Sequence, residues 1–155
     1  MIVVADGVIS ERVWSHEGWR APGAANRACG PATCLILTGN GDFRDSLRLT
    51  IGPMAVRCSA PADLPEAEYL ADLDHAFAIV DVCHPLDGDH DGVRKLAERL
   101  AGRPATLLVI CGDTHDSDSV EIWARQLGAF VYLPGPRDAR AVASLIGEVG
   151  RTGRG

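Results

Sequence analysis

Residues 76–85 read Ala-Phe-Ala-Ile-Val-Asp-Val-Cys-His-Pro. Ala76-Phe77-Ala78-Ile79-Val80 is a run of strand length with no polar residue on either face. A strand covered on both sides in a parallel sheet requires that pattern, and a half-exposed antiparallel strand does not. The run ends in a carboxylate, Asp81, and Pro85 follows four residues later. Similar runs recur on either side: Cys34-Leu35-Ile36-Leu37, Ala55-Val56-Arg57-Cys58, Leu107-Leu108-Val109-Ile110-Cys111 and Phe130-Val131-Tyr132-Leu133.

The stretches between these runs have helical spacing. Val120, Trp123, Ala124 and Leu127 fall at i, i+3, i+4 and i+7, which predicts one buried face with Trp123 in the core. Val142, Leu145, Ile146 and Val149 repeat the spacing, as do Val93, Leu96, Ala97 and Leu100. Phe43, Leu47 and Ile51 give a further helix, and Leu64, Ala67 and Leu70 a weaker one. Gly128 closes one helix, and Pro104 follows the end of another at Gly102. Five strands alternating with five helices predict an α/β fold, a five-stranded parallel sheet with helices on both faces. Such sheets carry their sites at the carboxyl ends of the strands, here after Leu37, Val80, Cys111 and Leu133.

Residues 1–33 stand outside this alternation. Ile2-Val3-Val4-Ala5 and Val8-Ile9 flank Asp6-Gly7, a hairpin signature. Trp14 and Trp19 follow, then a linker-like Ala21-Pro22-Gly23-Ala24-Ala25. The expected organisation is a hairpin or arm with its linker over 1–33, a domain over 34–150 and a flexible tail over 151–155.

With 155 residues and 46% apolar composition, the chain has the size of one domain with a real core. No apolar run approaches the ~20 residues that span a bilayer, and the N-terminus has no secretory pattern. A formal charge of −6 disfavours nucleic acid as a partner. Five cysteines without a C-x-x-C pair fit a reduced, cytoplasmic protein. Among the 15 basic residues only Lys95 is a lysine, so any chemistry that needs one has no other choice.

A second motif lies after Pro85. Asp87, Asp89, Asp91, Gly92 and Glu98 fit the Ca²⁺-loop template D-x-[DN]-x-[DN]-G-x₅-E. Its context is wrong for an EF-hand, because a strand precedes the loop and Arg94 occupies its aliphatic position. The helical face that begins at Val93 would also start inside it. An acidic loop capping the next helix is the preferred reading, and no metal or other cofactor is expected.

Asp81 with Pro85, followed by Asp87-Gly88 or Asp91-Gly92, resembles the phosphoacceptor region of bacterial response-regulator receiver domains. Leu127-Gly128-Ala129-Phe130-Val131-Tyr132-Leu133-Pro134-Gly135-Pro136 is similar to the family's Gly-Ala…aromatic…Lys-Pro stretch. Phe43-Arg44-Asp45-Ser46-Leu47-Arg48 looks like the start of its first helix. The resemblance covers residues 34–149 and implies the flavodoxin-like, CheY-like receiver fold.

It also implies a chemistry that can be checked by position. Moving a phosphoryl group onto a carboxylate gathers negative charge, which Mg²⁺ held by acids must neutralise. The family's acids fall within Thr38-Gly39-Asn40, where none is acidic. The family's phosphate-pairing lysine is replaced by Gly135, and its hydroxyl by Cys111 or Gly112. Lys95 lies on the solvent face of a helix and does not substitute. Asp81 therefore keeps the phosphoacceptor position in a pseudo-receiver. The preferred reading of its role is a strand-end carboxylate bonded to nearby backbone amides.

Tyr132 falls at the family's switch-aromatic position, and with Pro136 it is assigned to an interaction surface, the alternative for Tyr132 being a half-buried strand tyrosine. The expected function is a non-enzymatic signalling or scaffolding module that binds a protein partner or a second copy without phosphate on Asp81. The alternatives are a single-domain regulator phosphorylated at Asp81 and Ca²⁺ binding through residues 87–98. A further one is a receiver-like amino-terminal domain of a larger regulator, although no output domain fits after residue 150.

Overall fold

The computed structural model describes residues 2–5, 8–10, 32–113, 117–135 and 138–152. Its strands are β1 (Ile2–Ala5), β2 (Val8–Ser10), β3 (Ala32–Leu37), β4 (Val56–Ser59), β5 (Phe77–Asp81), β6 (Leu107–Gly112) and β7 (Val131–Pro134). The helices are α1 (Gly41–Ile51), α2 (Leu64–Ala71), α3 (His90–Ala101), α4 (Ser117–Leu127) and α5 (Ala139–Thr152). Each apolar run of the sequence lies within or beside a strand, and each periodic stretch within a helix.

The five strands β4-β3-β5-β6-β7 run parallel in that spatial order. Because side chains alternate along a strand, the sheet builds two cores. Leu35, Leu37, Ala78, Val80, Leu108 and Ile110 face α2, α3 and α4. Cys34, Ile36, Ile79, Val109 and Val131 face α1 and α5. Short polar side chains start the helices after β3, β4 and β5. Asn40 accepts from the Phe43 amide, Asp63 from Glu66, and Asp89 from Gly92. Each satisfies an amide that has no partner inside its helix.

The sheet has seven strands where the apolar runs predict five. β1 and β2 pair antiparallel, with Val3 opposite Ser10 and Ala5 opposite Val8. β1 then lies parallel to β7, with Ile2 opposite Val131 and Val3 opposite Tyr132. The hairpin therefore packs onto the domain by continuing its sheet. The physical reason is the edge: without β1, β7 would present a bare row of backbone donors and acceptors. Asp6-Gly7, Trp14, Trp19 and the linker at 21–25 lie outside the described residues.

Candidate functional site at the carboxyl end of the sheet

Asp81 is the last residue of β5 and is wholly buried. Its neighbours in the sheet place it between the ends of β3 and β6, with Cys111 directly opposite. Both carboxylate oxygens are engaged. Oδ1 accepts from the backbone amides of Cys83 at 3.1 Å and His84 at 3.3 Å. Oδ2 accepts from the Thr38 hydroxyl at 2.9 Å, and His84 Nδ1 stands 3.4 Å from it. Thr38 is itself buried, and its oxygen accepts from the Asn40 amide at 3.0 Å. A buried carboxylate needs such donors, since leaving it unpaired costs several kcal/mol (about 3–5).

The loop after β3 closes onto the loop after β5. The Gly39 amide donates to the His84 carbonyl at 2.6 Å. A Cβ at residue 39 would stand 2.6 Å from the Pro85 carbonyl oxygen and 3.1 Å from that of His84. That position therefore admits no side chain, acidic or otherwise, unless the two loops separate. Asn40, the third residue of the stretch, is committed to capping α1, through its bond from the Phe43 amide at 3.2 Å.

Gly112 and Gly135, of the three remaining degenerate positions, are closed as well. A Cβ on Gly112 would meet the ring of Tyr132, with Cε2 only 2.6 Å away. Tyr132 fills the volume that a side chain at 112 would need. Gly135 has a φ of 102°, in the left-handed region, where a lysine would be strained. Cys111 is buried in β6. Lys95 is exposed on α3.

Tyr132, assigned from the sequence to an interaction surface, has no exposed surface at all. The missing side chain at Gly112 explains this, because it leaves the ring a place inside the fold. Burial first, then the nearby Cys83, Glu121, Asp113 and Cys111, push the phenol up to about 12. Pro136 lies outside the described residues, as do Thr114, His115 and Asp116 between β6 and α4. Trp123, predicted for the core, is half-buried at the core's margin, with the Arg94 guanidinium 5.0 Å above its ring. An indole is too large for a helix face otherwise lined by Val120 and Ala124, and Arg94 covers the part left over.

The Ca²⁺-loop residues serve as caps. Asp87 Oδ2 accepts from the Leu64 amide at 2.8 Å, at the start of α2. Asp89 Oδ1 accepts from Gly92 at 2.9 Å. α3 begins at His90, which places Asp91 in its first turn and Glu98 two turns further along. Among the described residues, no three His, Cys, Asp or Glu side chains converge to hold a metal ion.

Two features escape sequence reasoning. Thr38 is legible there only as a non-acidic position, although it is the side chain that closes the Asp81 network. Cys34 and Cys58 occupy facing positions on β3 and β4. Their common place as third residue of each strand is a signal only once the register is known.

No family model matches the chain, and no curated protein matches it by sequence. Solved structures do. The chain is similar to a CheY-like response regulator receiver domain protein from Methanospirillum hungatei JF-1, at 18% identity and a TM-score of 0.66, covering 81% of this chain and 98% of that one. It is similar to an orphan response regulator of H. pylori, at 16% identity and a TM-score of 0.62, over 77% of this chain and 97% of that one. A third likeness is to a member of a family of redox sensors in the streptococci that evolved from two-component response regulators. There the identity is 15% and the TM-score 0.61, over 78% of this chain and 52% of that one. At these identities the likeness concerns architecture, and the strand order and helix placement agree with it: this chain has the receiver fold of the response regulators.

Proposed function

We propose that this chain is a receiver-like signalling module that acts through protein contacts, without phosphoryl transfer to Asp81. The observation that carries the reading is the closure of three positions. Residue 39 is shut by a neighbouring backbone, residue 112 by the Tyr132 ring, and residue 135 by its own backbone angle. At residues 39, 112 and 135 the needed groups are both missing and disfavoured by the surrounding backbone or ring, while Thr38, Asn40 and Cys111 carry side chains of other chemistry. Asp81 itself is buried, with both oxygens occupied. Without a cation at the transferring group, the largest catalytic contribution is gone.

The proposed contact surface is formed around α4 and α5, with the hairpin covering the β7 edge between them, for a protein partner or a second copy. With Tyr132 held inside and Gly112 bare, this face is offered in a single shape. The likeness to an orphan response regulator supports a regulator of this fold working outside the usual pairing.

The test is incubation with acetyl phosphate and Mg²⁺, followed by weighing the intact protein. No mass gain is expected. A gain of about 80 Da, one HPO₃, that disappears in Asp81→Asn would overturn the reading in favour of a working phosphoacceptor.

A further inference from the structure

β3 and β4 pair in parallel, with Cys34 opposite Cys58. Opposite residues of adjacent strands point to the same face, and their strands lie about 4.8 Å apart. That separation falls within the span of about 4.4–6.8 Å between Cα atoms that a disulfide bridges. Both side chains belong to the apolar cluster beneath α1 and α5. Their environments differ. Cys34 is sealed, while Cys58 is half-buried on β4, the outermost strand on its side of the sheet.

Cys58 Sγ donates to the Val56 carbonyl at 4.0 Å, and Cys34 lies beside Cys58 on the neighbouring strand. Donation from Cys34 favours the Cys58 thiolate and lowers its pKa to about 7 against the opposing effect of burial. The Arg48 guanidinium adds to the lowering. The same bond, together with burial, pushes Cys34 up. Cys58 is thus the partner that ionises more readily, and Cys34 the one that keeps its proton. Both lie far from Asp81, because Cys34 is level with Phe77, four residues or about 13 Å down the sheet.

We propose that Cys34 and Cys58 form a redox-active dithiol that reacts with a hydroperoxide and closes to a disulfide joining β3 to β4. The Cys58 sulfur attacks one peroxide oxygen. An S–O bond forms, the O–O bond breaks, and the departing oxygen takes a proton from water to leave as an alcohol or, from hydrogen peroxide, as water. The Cys34 sulfur then attacks the Cys58 sulfenic acid. The S–S bond forms, the S–O bond breaks, and the hydroxide leaves as water with the proton of Cys34. Two thiols lose two electrons, and one hydroperoxide gains them.

The experiment treats the full chain with hydrogen peroxide and weighs it intact and after non-reducing digestion. The expected result is a loss of about 2 Da per chain and a peptide pair joined through Cys34 and Cys58. Cys58→Ser abolishes that pair. Cys34→Ser stops Cys58 at the sulfenic acid, which dimedone captures. In the untreated chain, alkylation of Cys58 by iodoacetamide reaches half its maximal rate at a pH of about 7. Cross-links that map to Cys29, Cys83 or Cys111 instead, or four unreacted described thiols after excess peroxide, overturn the proposal. The peptide map of the unaltered chain decides this even if the core substitution at Cys34 fails to fold. None of these readouts depends on phosphate at Asp81.

Discussion

Tyr132 buries a phenol oxygen that has no hydrogen-bond partner among the described residues. Such a group forfeits its bonds to water and receives nothing in return. Tyr132→Phe deletes it without changing the shape of the ring. The variant is expected to be more stable by about 1 kcal/mol, read from the midpoint of urea unfolding. The same residue sets an alkaline limit. Its folded pKa is raised from 10.0 to about 12, so the native state keeps a proton that the unfolded chain releases. The stabilisation is complete below pH 10 and is lost as pH rises towards 12. Unfolding followed across that window declines less in Tyr132→Phe; an unchanged slope would assign the loss to other groups. Asp81 behaves differently. Asp81→Ala strands the Thr38 hydroxyl and the amides of Cys83 and His84, and is expected to cost about 1–3 kcal/mol. Asp81→Asn keeps an acceptor for both amides and costs less, which the same unfolding measurement separates. Asp81 is legible in the sequence because a lone acid ends an otherwise apolar run. Its partner Thr38 is not, because it lies 43 positions away and meets Asp81 only when β3 and β5 pair.

The elements are the most legible level of this protein. A strand covered on both faces must be apolar throughout, so β3, β5 and β6 stand out without reference to any partner. The helices follow from the same economy, each turning one stripe of apolar residues to the sheet. Their starts involve longer reach. Asp89 caps α3 directly, whereas Asp87 bonds the first amide of α2, 23 positions earlier in the chain. An acidic loop can be read equally as metal ligands or as caps, and only the position of the helix start decides between them. With α3 beginning at His90, Ca²⁺ is expected to leave the melting temperature unchanged at millimolar concentration. Asp89→Ala is expected to lower stability by about 1 kcal/mol through loss of the α3 cap. A Ca²⁺-dependent rise in melting temperature that Glu98→Ala abolishes would contradict this assignment of the loop.

At the scale of the whole molecule, the closure of the candidate site comes from distance relations that no local pattern encodes. The glycine at 39 reads as a missing acid, yet its reason is the approach of the Pro85 carbonyl from another loop. The same holds for the hairpin. Its turn signature is local, but the choice of β7 as its neighbour depends on which edge the rest of the sheet leaves open. β1 is flanked on both sides, by β2 and β7, so a proline within it removes a ladder bond whichever way its amide points. Val3→Pro is expected to release the hairpin, bare β7 and increase self-association in size-exclusion chromatography with light scattering, while the far-UV circular dichroism of the parallel sheet persists. An elution unchanged across concentrations would mean that β7 needs no cover.

The hairpin also determines how this side of the molecule can be approached. A partner arriving there meets β2, only three residues long and a poor template for adding a further strand. The strand that guards β7 is tethered to the chain it protects, so it competes at a fixed effective concentration that dilution does not change. The β7 edge is therefore kept shut as firmly when the protein is scarce as when it is abundant.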